Sequence, residues 1–88
     1  MKLVFDEKAL VDFEGIYNWI AKDNSVAAKA VVERLFESVE HLATFPQMGH
    51  VGRDEGPFEW VVPRLPYIVV YEIHRERDEI IVVETPSA

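Results

Sequence analysis

The sequence contains no cysteine among its 88 residues, so it can form neither a disulfide bond nor a metal site built on thiolates. It also has no apolar run near the roughly 20 residues that a membrane-spanning helix needs. Residues 1–5 lack the charged region, long apolar core and cleavage site of a secretion signal. These absences predict a cytoplasmic protein that makes no contact with a membrane.

Basic residues are scarce in this chain. Nine lysines and arginines stand against sixteen aspartates and glutamates, which gives a formal net charge of −7. Proteins that bind nucleic acids usually present a basic surface, because neutralising phosphates releases counterions and this release drives affinity. The charge balance therefore disfavours direct nucleic-acid binding, although a local basic patch is compatible with an acidic chain.

The familiar signatures of catalysis and metal binding are also missing. His41, His50 and His74 lie 9 and 24 positions apart, and none belongs to a His-x-x-x-His pair of the kind that binds zinc. No serine occupies a Gly-x-Ser-x-Gly motif, and the segment 49–52 lacks the lysine of a phosphate-binding loop. We interpret His41 and His74 as surface residues. The residues alone thus identify no metal ligand, no cofactor site and no catalytic residue.

What the sequence does contain is a strand-like run over residues 65–73 that is rich in β-branched and aromatic side chains. Apolar side chains fill nearly every position between Tyr67 and Tyr71, so the alternation typical of a half-exposed strand is lost. A run of this kind is usually a central strand that is covered on both faces. We expect it to form the middle of a small sheet.

The segments around this strand predict a single α+β domain over residues 1–88. Apolar residues recur at three- and four-residue steps from Ala9 to Ile20 and from Ala28 to Leu42, which predicts two amphipathic helices. Asn24 or Ser25 is a candidate N-cap of the second helix, and the short link predicts an antiparallel helical hairpin. Apolar runs at residues 2–5, 58–62 and 79–83 predict an N-terminal strand and, with the central strand, a three-stranded antiparallel meander.

A loop of about 13 residues separates the second helix from the next strand, and loops of that length are usually functional or mobile. It starts at Phe45 and Pro46, holds three glycines, and contains no segment that predicts an element of its own. His50 lies between two of these glycines and precedes Arg53. His50 is therefore a candidate acid, base or anion contact, or else a polar loop residue without a specific function.

Two tyrosines of the central strand have a predictable relation. Tyr67 and Tyr71 are four positions apart, so on a strand their side chains point to the same face. Together with Phe58 and Trp60 they form either an aromatic surface for a partner or a part of the core. A core position is the simpler explanation for Tyr71, whereas Tyr67, near the strand start, fits both.

Two segments of the chain resemble the ParE branch of the RelE/ParE toxin superfamily, the plasmid-stabilisation type of toxin. The first reads Phe45-Pro46-x-Met48-Gly49-x-x-Gly52-Arg53, and the second reads Glu59-x-Val61-Val62-x-x-Leu65-Pro66-Tyr67-Ile68-Val69-Val70-Tyr71. The combination of the glycine loop with this strand is specific. The order of elements matches the family from Leu3 to Val83.

The resemblance implies the toxin of a type II toxin–antitoxin system. Such a toxin is neutralised by direct binding of a small antitoxin, here a ParD-like one, so a hetero-oligomer of the two is expected. RelE-like members of the superfamily cleave messenger RNA on the ribosome, whereas ParE-like members are associated with inhibition of DNA gyrase.

Three features favour gyrase inhibition by binding, without catalysis. RelE-like nucleases place an arginine after the tyrosine that opens the central strand, where its charge stabilises phosphate in the transition state, and this chain has Ile68 there. Their catalytic C-terminal residues would fall near Thr85 and Ala88, and their surface is basic. The alternatives are a RelE-like ribosome-dependent mRNA endonuclease, with His50 and Arg53 replacing the usual residues, and a non-toxic antitoxin-binding relative.

The chain departs from the ParE pattern at the loop and at the end of the last strand. The loop reads Gly49-His50 where the family usually has Gly-Arg, and residues 84–88 stand where many members carry a His-x-x-Arg segment. If that segment contributes to toxicity, this chain is a weak toxin or acts on another target. We expect the surface that binds the target or the antitoxin to be formed by His50, Arg53, Glu59, Arg64, Tyr67 and Tyr71.

Overall fold

In the computed structural model, which describes residues 1–51 and 57–88, a first strand is followed by two helices and then by the remaining strands of one sheet. The strands are β1 (Lys2–Phe5), β2 (His50–Val51), β3 (Phe58–Val61), β4 (Ile68–His74) and β5 (Glu79–Glu84). The helices are α1 (Glu7–Ala21) and α2 (Ser25–Thr44), with short 3₁₀ helices at Pro46–Met48 and Arg75–Arg77. The predicted α+β fold, with an N-terminal strand, a helical hairpin and an antiparallel meander, is confirmed.

The two helices form an antiparallel hairpin because only residues 22–24 link them. The side chain of Asn24 accepts a hydrogen bond of 3.0 Å from the backbone N–H of Ala27, so the predicted cap of α2 is confirmed. Each helix buries one apolar stripe, as its sequence period predicts. The buried residues are Ala9, Phe13 and Ile16 on α1, and Ala28, Leu35, Val39 and Leu42 on α2.

The five described strands form one sheet in the order β1-β5-β4-β3-β2. The meander pairs β3 with β4 and β4 with β5 in antiparallel fashion, so β4 is the central strand, as predicted. The first strand lies at the edge and runs parallel to the last, with Leu3 opposite Ile80. The sequence did not predict where the first strand joins the sheet. The hairpin forms the first part of the connection between these two parallel strands, a role that helices commonly fill.

The hydrophobic core lies between the helical hairpin and one face of the sheet. Val69 and Tyr71 of β4 and Ile80 and Val82 of β5 belong to one buried cluster with the apolar stripes of both helices. The intervening Val70 points to the opposite face, since side chains alternate along a strand. Within the described residues the helices pack on one face of β4 only. The consecutive residues Val69, Val70 and Tyr71 are nevertheless all buried, so the middle of the strand is covered on both faces, as predicted. Val70 is still only 8% exposed, and its direct partner on β3 is Glu59.

The segment after α2 is more ordered than the sequence predicts, because Tyr71 holds it against the sheet. The Tyr71 hydroxyl donates a hydrogen bond of 2.7 Å to the carbonyl of Pro46 and accepts one of 3.0 Å from the N–H of Gly49. A 3₁₀ helix, Pro46–Met48, and strand β2 occupy a segment for which no element was expected. Tyr71 itself is 0% exposed, which confirms the core position that the sequence favours and corrects its inclusion in the binding surface. It is a core residue.

Gly49 allows the chain to pass close to Tyr71. A Cβ atom at this position would collide with the Tyr71 hydroxyl and lie 2.8 Å from the backbone oxygen of Glu59. The residue is buried between these two groups. A glycine is therefore required here for close approach, and not for an unusual backbone conformation, since its φ is −73°.

We predict that Tyr71→Phe lowers the free energy of unfolding by about 1–3 kcal/mol, since it leaves two buried backbone groups without their partner. The phenyl ring keeps its stacking on Phe58, 5.4 Å away between centroids, so the loss isolates the hydroxyl. Urea unfolding of the purified protein measures it. Tyr17→Phe, at an exposed position of α1, is the matched control and should change stability by less than about 0.5 kcal/mol. Equal losses in the two variants would contradict the role of the hydroxyl.

Stability should also fall at alkaline pH because of the same group. Burial raises the pKa of Tyr71, and the hydrogen bond from Gly49 opposes this in part. Because the folded-state pKa lies above the ordinary value of about 10, the contribution is complete below pH 10 and is lost as the pH rises through the folded-state value. Unfolding free energies measured from pH 9 upward should decline less steeply in Tyr71→Phe. Parallel declines in the two proteins would show that Tyr71 does not contribute.

Candidate functional site

Two open grooves lie on opposite sides of the helical hairpin. The first, which we call the basic cleft, has a volume of about 570 Å³ and lies between α2 and the turn after β3. The second, the α1 groove, has a volume of about 540 Å³ and lies between α1 and the residues that follow β5. The basic cleft is lined by Arg34, Glu37, Ser38, His41, Met48, Trp60, Pro63 and Arg64.

The α2 side of the basic cleft follows from helical spacing. Arg34, Ser38 and His41 are four and three positions apart, so they form a stripe on one side of the helix. This stripe runs beside the buried residues Leu35 and Val39, which face the core. The stripe therefore lies at the border between core and solvent, where it faces the sheet.

The opposite wall of the basic cleft is a tight turn that holds Arg64. The N–H of Leu65 donates a hydrogen bond of 3.2 Å to the carbonyl of Val62, with Pro63 and Arg64 as the central residues. Arg64 has a φ of 68°, in the left-handed region. Proline at the first central position and a positive φ at the second are the pattern of a type II turn, in which glycine is preferred at the second. An arginine there costs about 1–2 kcal/mol of backbone strain.

The basic cleft concentrates positive charge on an acidic protein. Arg34 and Arg64 line it together with His41, against the single carboxylate of Glu37. Among the described residues, the ion pairs of this protein involve Lys8 and His74, and none involves Arg34 or Arg64. Within residues 1–51 and 57–88, neither guanidinium group is held in an ion pair.

The α1 groove is apolar by contrast. Its walls include Val11 and Trp19 of α1, which are 60% and 71% exposed. Gly15 lies between them, and a Cβ atom at Gly15 would meet no other group within 4 Å, so no part of the described chain packs there. Exposed aromatic and aliphatic side chains beside open space are typical of a surface that contacts another protein.

The far wall of the α1 groove is the segment after β5, which is bound to the sheet. The N–H of Ile68 donates to the carbonyl of Pro86 at 2.9 Å, and Tyr67 pairs with Ser87 as an isolated bridge. On the helix side, Asp12 Oδ2 accepts a hydrogen bond of 2.9 Å from the N–H of Thr85. This contact fastens the segment to α1.

The five described members of the expected binding surface do not come together. Arg64 lines the basic cleft, whereas Tyr67 lines the α1 groove. His50 and Glu59 lie opposite each other in the pairing of β2 with β3, with His50 exposed. Tyr71 is in the core, as described above, and Arg53 lies outside the described residues. The sequence therefore identified Arg64 and Tyr67, one residue of each groove, but did not predict that they belong to separate grooves.

Several lining residues were missed by the sequence reading. The sequence indicates a surface position for His41 and places Trp60 beside the tyrosines, whereas no motif singles out Arg34. Their spacing on α2 was a signal that a polar stripe borders the apolar one. The contact between Asp12 and Thr85 had no such signal, because 73 positions separate the two residues.

Ile68 and Thr85 lie at positions where the sequence analysis compared this chain with RelE-like nucleases. Ile68 opens β4 opposite Val61, so an apolar pair occupies the place where an arginine would stabilise phosphate. Thr85 is only 3% exposed, and its hydroxyl has no hydrogen-bond partner among the described residues. In the same part of the chain, no three His, Asp or Glu side chains cluster as metal ligands. No helix in the described ranges is both long and apolar enough to cross a membrane.

A helical hairpin on one face of a meander, with the N-terminal strand beside the last one, defines this chain as a RelE/ParE-type toxin fold. Similar folds occur in the chromosomal ParDE toxin–antitoxin system of P. aeruginosa, with a TM-score of 0.85 at 20% identity, over 100% of this chain and 96% of that one. The intact E. coli RelBE toxin–antitoxin complex contains a chain with a TM-score of 0.72 at 20% identity, over 99% of this chain and 95% of that one.

The sequence comparisons narrow the class to a family. The family model of the ParE toxin of type II toxin–antitoxin systems matches residues 3–86. A protein of Sinorhizobium fredii (strain NBRC 101917 / NGR234), provisionally named toxin Y4kP, is 38% identical over 69 residues, which cover 78% of this chain and 72% of that protein. The chain belongs to the ParE toxin family, as the motif resemblance predicted.

We predict that Asp12→Ala destabilises the protein by about 1–3 kcal/mol, because it removes the charged acceptor of the part-buried Thr85 N–H. Asp12→Asn keeps an oxygen acceptor and should lose less. Lys8→Ala is the second control: Lys8 Nζ lies 3.2 Å from Asp12 Oδ1 in an exposed pair, and such pairs contribute little. Urea unfolding of the three variants measures this order, and a Lys8→Ala loss as large as that of Asp12→Ala would refute it.

Proposed function

We propose that this chain is a ParE-like toxin that inhibits DNA gyrase by binding to it, and that a ParD-like antitoxin in the same cytoplasm silences it by direct contact. Family membership supports the toxin–antitoxin part of this proposal. The P. aeruginosa and E. coli structures of similar fold come from a toxin–antitoxin system and a toxin–antitoxin complex, which supports a hetero-oligomer with an antitoxin.

The observation that favours binding over RNA cleavage is the environment of Ile68. Phosphodiester cleavage needs preorganised positive charge where negative charge develops in the transition state. At the start of β4, Ile68 instead lies opposite Val61, whose side chain is 51% exposed. This apolar surface cannot stabilise a phosphate, and the net charge of −7 opposes the approach of RNA.

The grooves supply what a binding inhibitor needs. An exposed tryptophan beside an open apolar groove offers a large contact area, and tryptophan and arginine are enriched among residues that dominate binding energy. The α1 groove presents Trp19, and the basic cleft presents Arg34 and Arg64. A small protein with two such surfaces can engage a target and an antitoxin without any catalytic group of its own.

The test is induction of this chain alone in a bacterial culture, with growth, plasmid topology and transcript integrity followed in the same cells. We expect growth arrest with altered plasmid supercoiling, intact messenger RNA, and rescue when the antitoxin encoded beside the chain is produced as well. In vitro, the purified chain should inhibit supercoiling of relaxed plasmid by gyrase.

Other outcomes replace the proposal by a named alternative. Arrest with messenger RNA cut within codons and normal topology would establish a RelE-like ribosome-dependent endonuclease. Unimpaired growth despite soluble, folded protein would establish a non-toxic antitoxin-binding relative. Gly49→Ala is the folding control: its added methyl group collides with Tyr71 and changes no surface side chain, so the variant should be less stable and lose the effect only as far as it loses folded protein.

A further inference from the structure

The basic cleft has the chemistry of a site for a single acidic group. Two guanidinium groups, on Arg34 and Arg64, line a space of about 570 Å³ with one imidazole, that of His41, and one carboxylate, that of Glu37. Arginine is the side chain that binds carboxylates best, since its planar donors match the two oxygens. The local excess of positive charge stands out on a chain with a net charge of −7.

The acidic character of the whole protein restricts what this cleft can bind. A long polyanion such as a nucleic acid would meet repulsion from the surrounding surface before it reached the arginines. A short acidic segment of a protein carries few charges, so it can pair with the arginines of this cleft and meets little repulsion from the rest of the surface. Charge complementarity therefore favours a carboxylate side chain of a protein partner.

The same cleft has an apolar side, formed by Met48 and Trp60. Both side chains are half-buried and pack against the hydrophobic core, which fixes their position. A ring and a thioether next to two guanidinium groups suit an acidic residue with an apolar neighbour. Pre-positioned groups of this kind lose little entropy on binding.

The backbone at Arg64 provides an independent reason to assign a function to the cleft. Arg64 occupies a left-handed position, with φ of 68°, at which glycine is the preferred residue of the turn. Strained residues of this kind concentrate at functional sites, where the gain lies in the placement of the side chain. Here the placement puts a guanidinium group at the rim of the cleft, across from Arg34.

We propose that the basic cleft is a recognition site for the antitoxin, in which Arg34 and Arg64 bind an acidic side chain and Met48 and Trp60 contact an apolar side chain next to it. The antitoxin is the occupant because family membership supplies it as a partner. The inference therefore rests on the antitoxin part of the proposed function, and it does not depend on gyrase as the target.

The experiment uses the full chain with the antitoxin encoded beside it, and measures the dissociation constant by calorimetry. Arg34→Gln and Arg64→Gln should each weaken binding by at least about 10-fold, as expected when one partner of a buried charge-assisted pair is removed. Arg75→Gln and Arg77→Gln make the same charge change on the exposed turn before β5, away from the cleft, and should change affinity by less than about 3-fold.

Arg64→Gly separates function from folding. Glycine fits the left-handed turn position, so the variant should unfold at the same temperature as the parent or at a higher one, while its affinity for the antitoxin falls as in Arg64→Gln. Replacement of each antitoxin Asp or Glu by its amide should then identify one residue whose effect disappears in the Arg64→Gly background.

Each outcome has a distinct meaning. Unchanged antitoxin affinity in all cleft variants would overturn the inference while leaving the partnership intact. Unchanged antitoxin affinity together with lost gyrase inhibition would overturn it in favour of the target as the occupant. If the parent chain does not bind the antitoxin at all, the proposed partnership fails first, and the inference falls with it.

Discussion

The hydroxyl of Tyr71 connects the central strand to the segment that leaves α2, and the layout of both depends on it. Its two hydrogen bonds, to Pro46 and from Gly49, fix the 3₁₀ helix between them. That helix carries Met48 into the basic cleft, and the chain beyond it begins β2 beside β3. A buried side chain in the core thus determines the shape of a surface cleft. The glycine at position 49 is the sequence requirement of this arrangement, because any larger residue would push the segment away from the sheet.

The hairpin separates two surfaces of opposite chemistry. On the α2 side, Arg34 and Arg64 line a cleft together with the half-buried Trp60. On the α1 side, the exposed Trp19 lines a groove whose other wall is bound to the helix through Asp12.

The sequence predicts this fold well where the determinants are local. The apolar period gives both helices, Asn24 marks the start of α2 by its cap, and the apolar run after Pro66 gives the central strand. Predictions failed where the position of a side chain depends on how distant segments of the chain pack together. Alternation places Tyr67 and Tyr71 on one face, but only the packed structure shows that Tyr71 is fully buried while Tyr67 lines a groove.

The candidate site was still harder to predict, for the same reason. The sequence analysis names Arg64 as a candidate binding residue. Arg34, which lines the same cleft, lies on a helix 30 positions earlier and looks like any solvated arginine. Which residues share a groove depends on how the hairpin crosses the sheet, and that angle is set by core packing. No local pattern encodes it. The left-handed backbone at Arg64 was not predictable either. Proline followed by glycine indicates a type II turn, whereas Pro63 followed by Arg64 does not.

The parallel pairing of β1 with β5 has a consequence for how the protein is made. Within the described residues, β1 pairs with β5 alone, and the N–H of Asp6 likewise donates a hydrogen bond to the carbonyl of Val82. During synthesis the helical hairpin can form early, but its apolar stripes lack the part of the sheet they cover until residues 79–84 have left the ribosome. Contacts between distant parts of a chain also form slowly. The core therefore becomes complete only once residues 79–84 are available to pack against the hairpin.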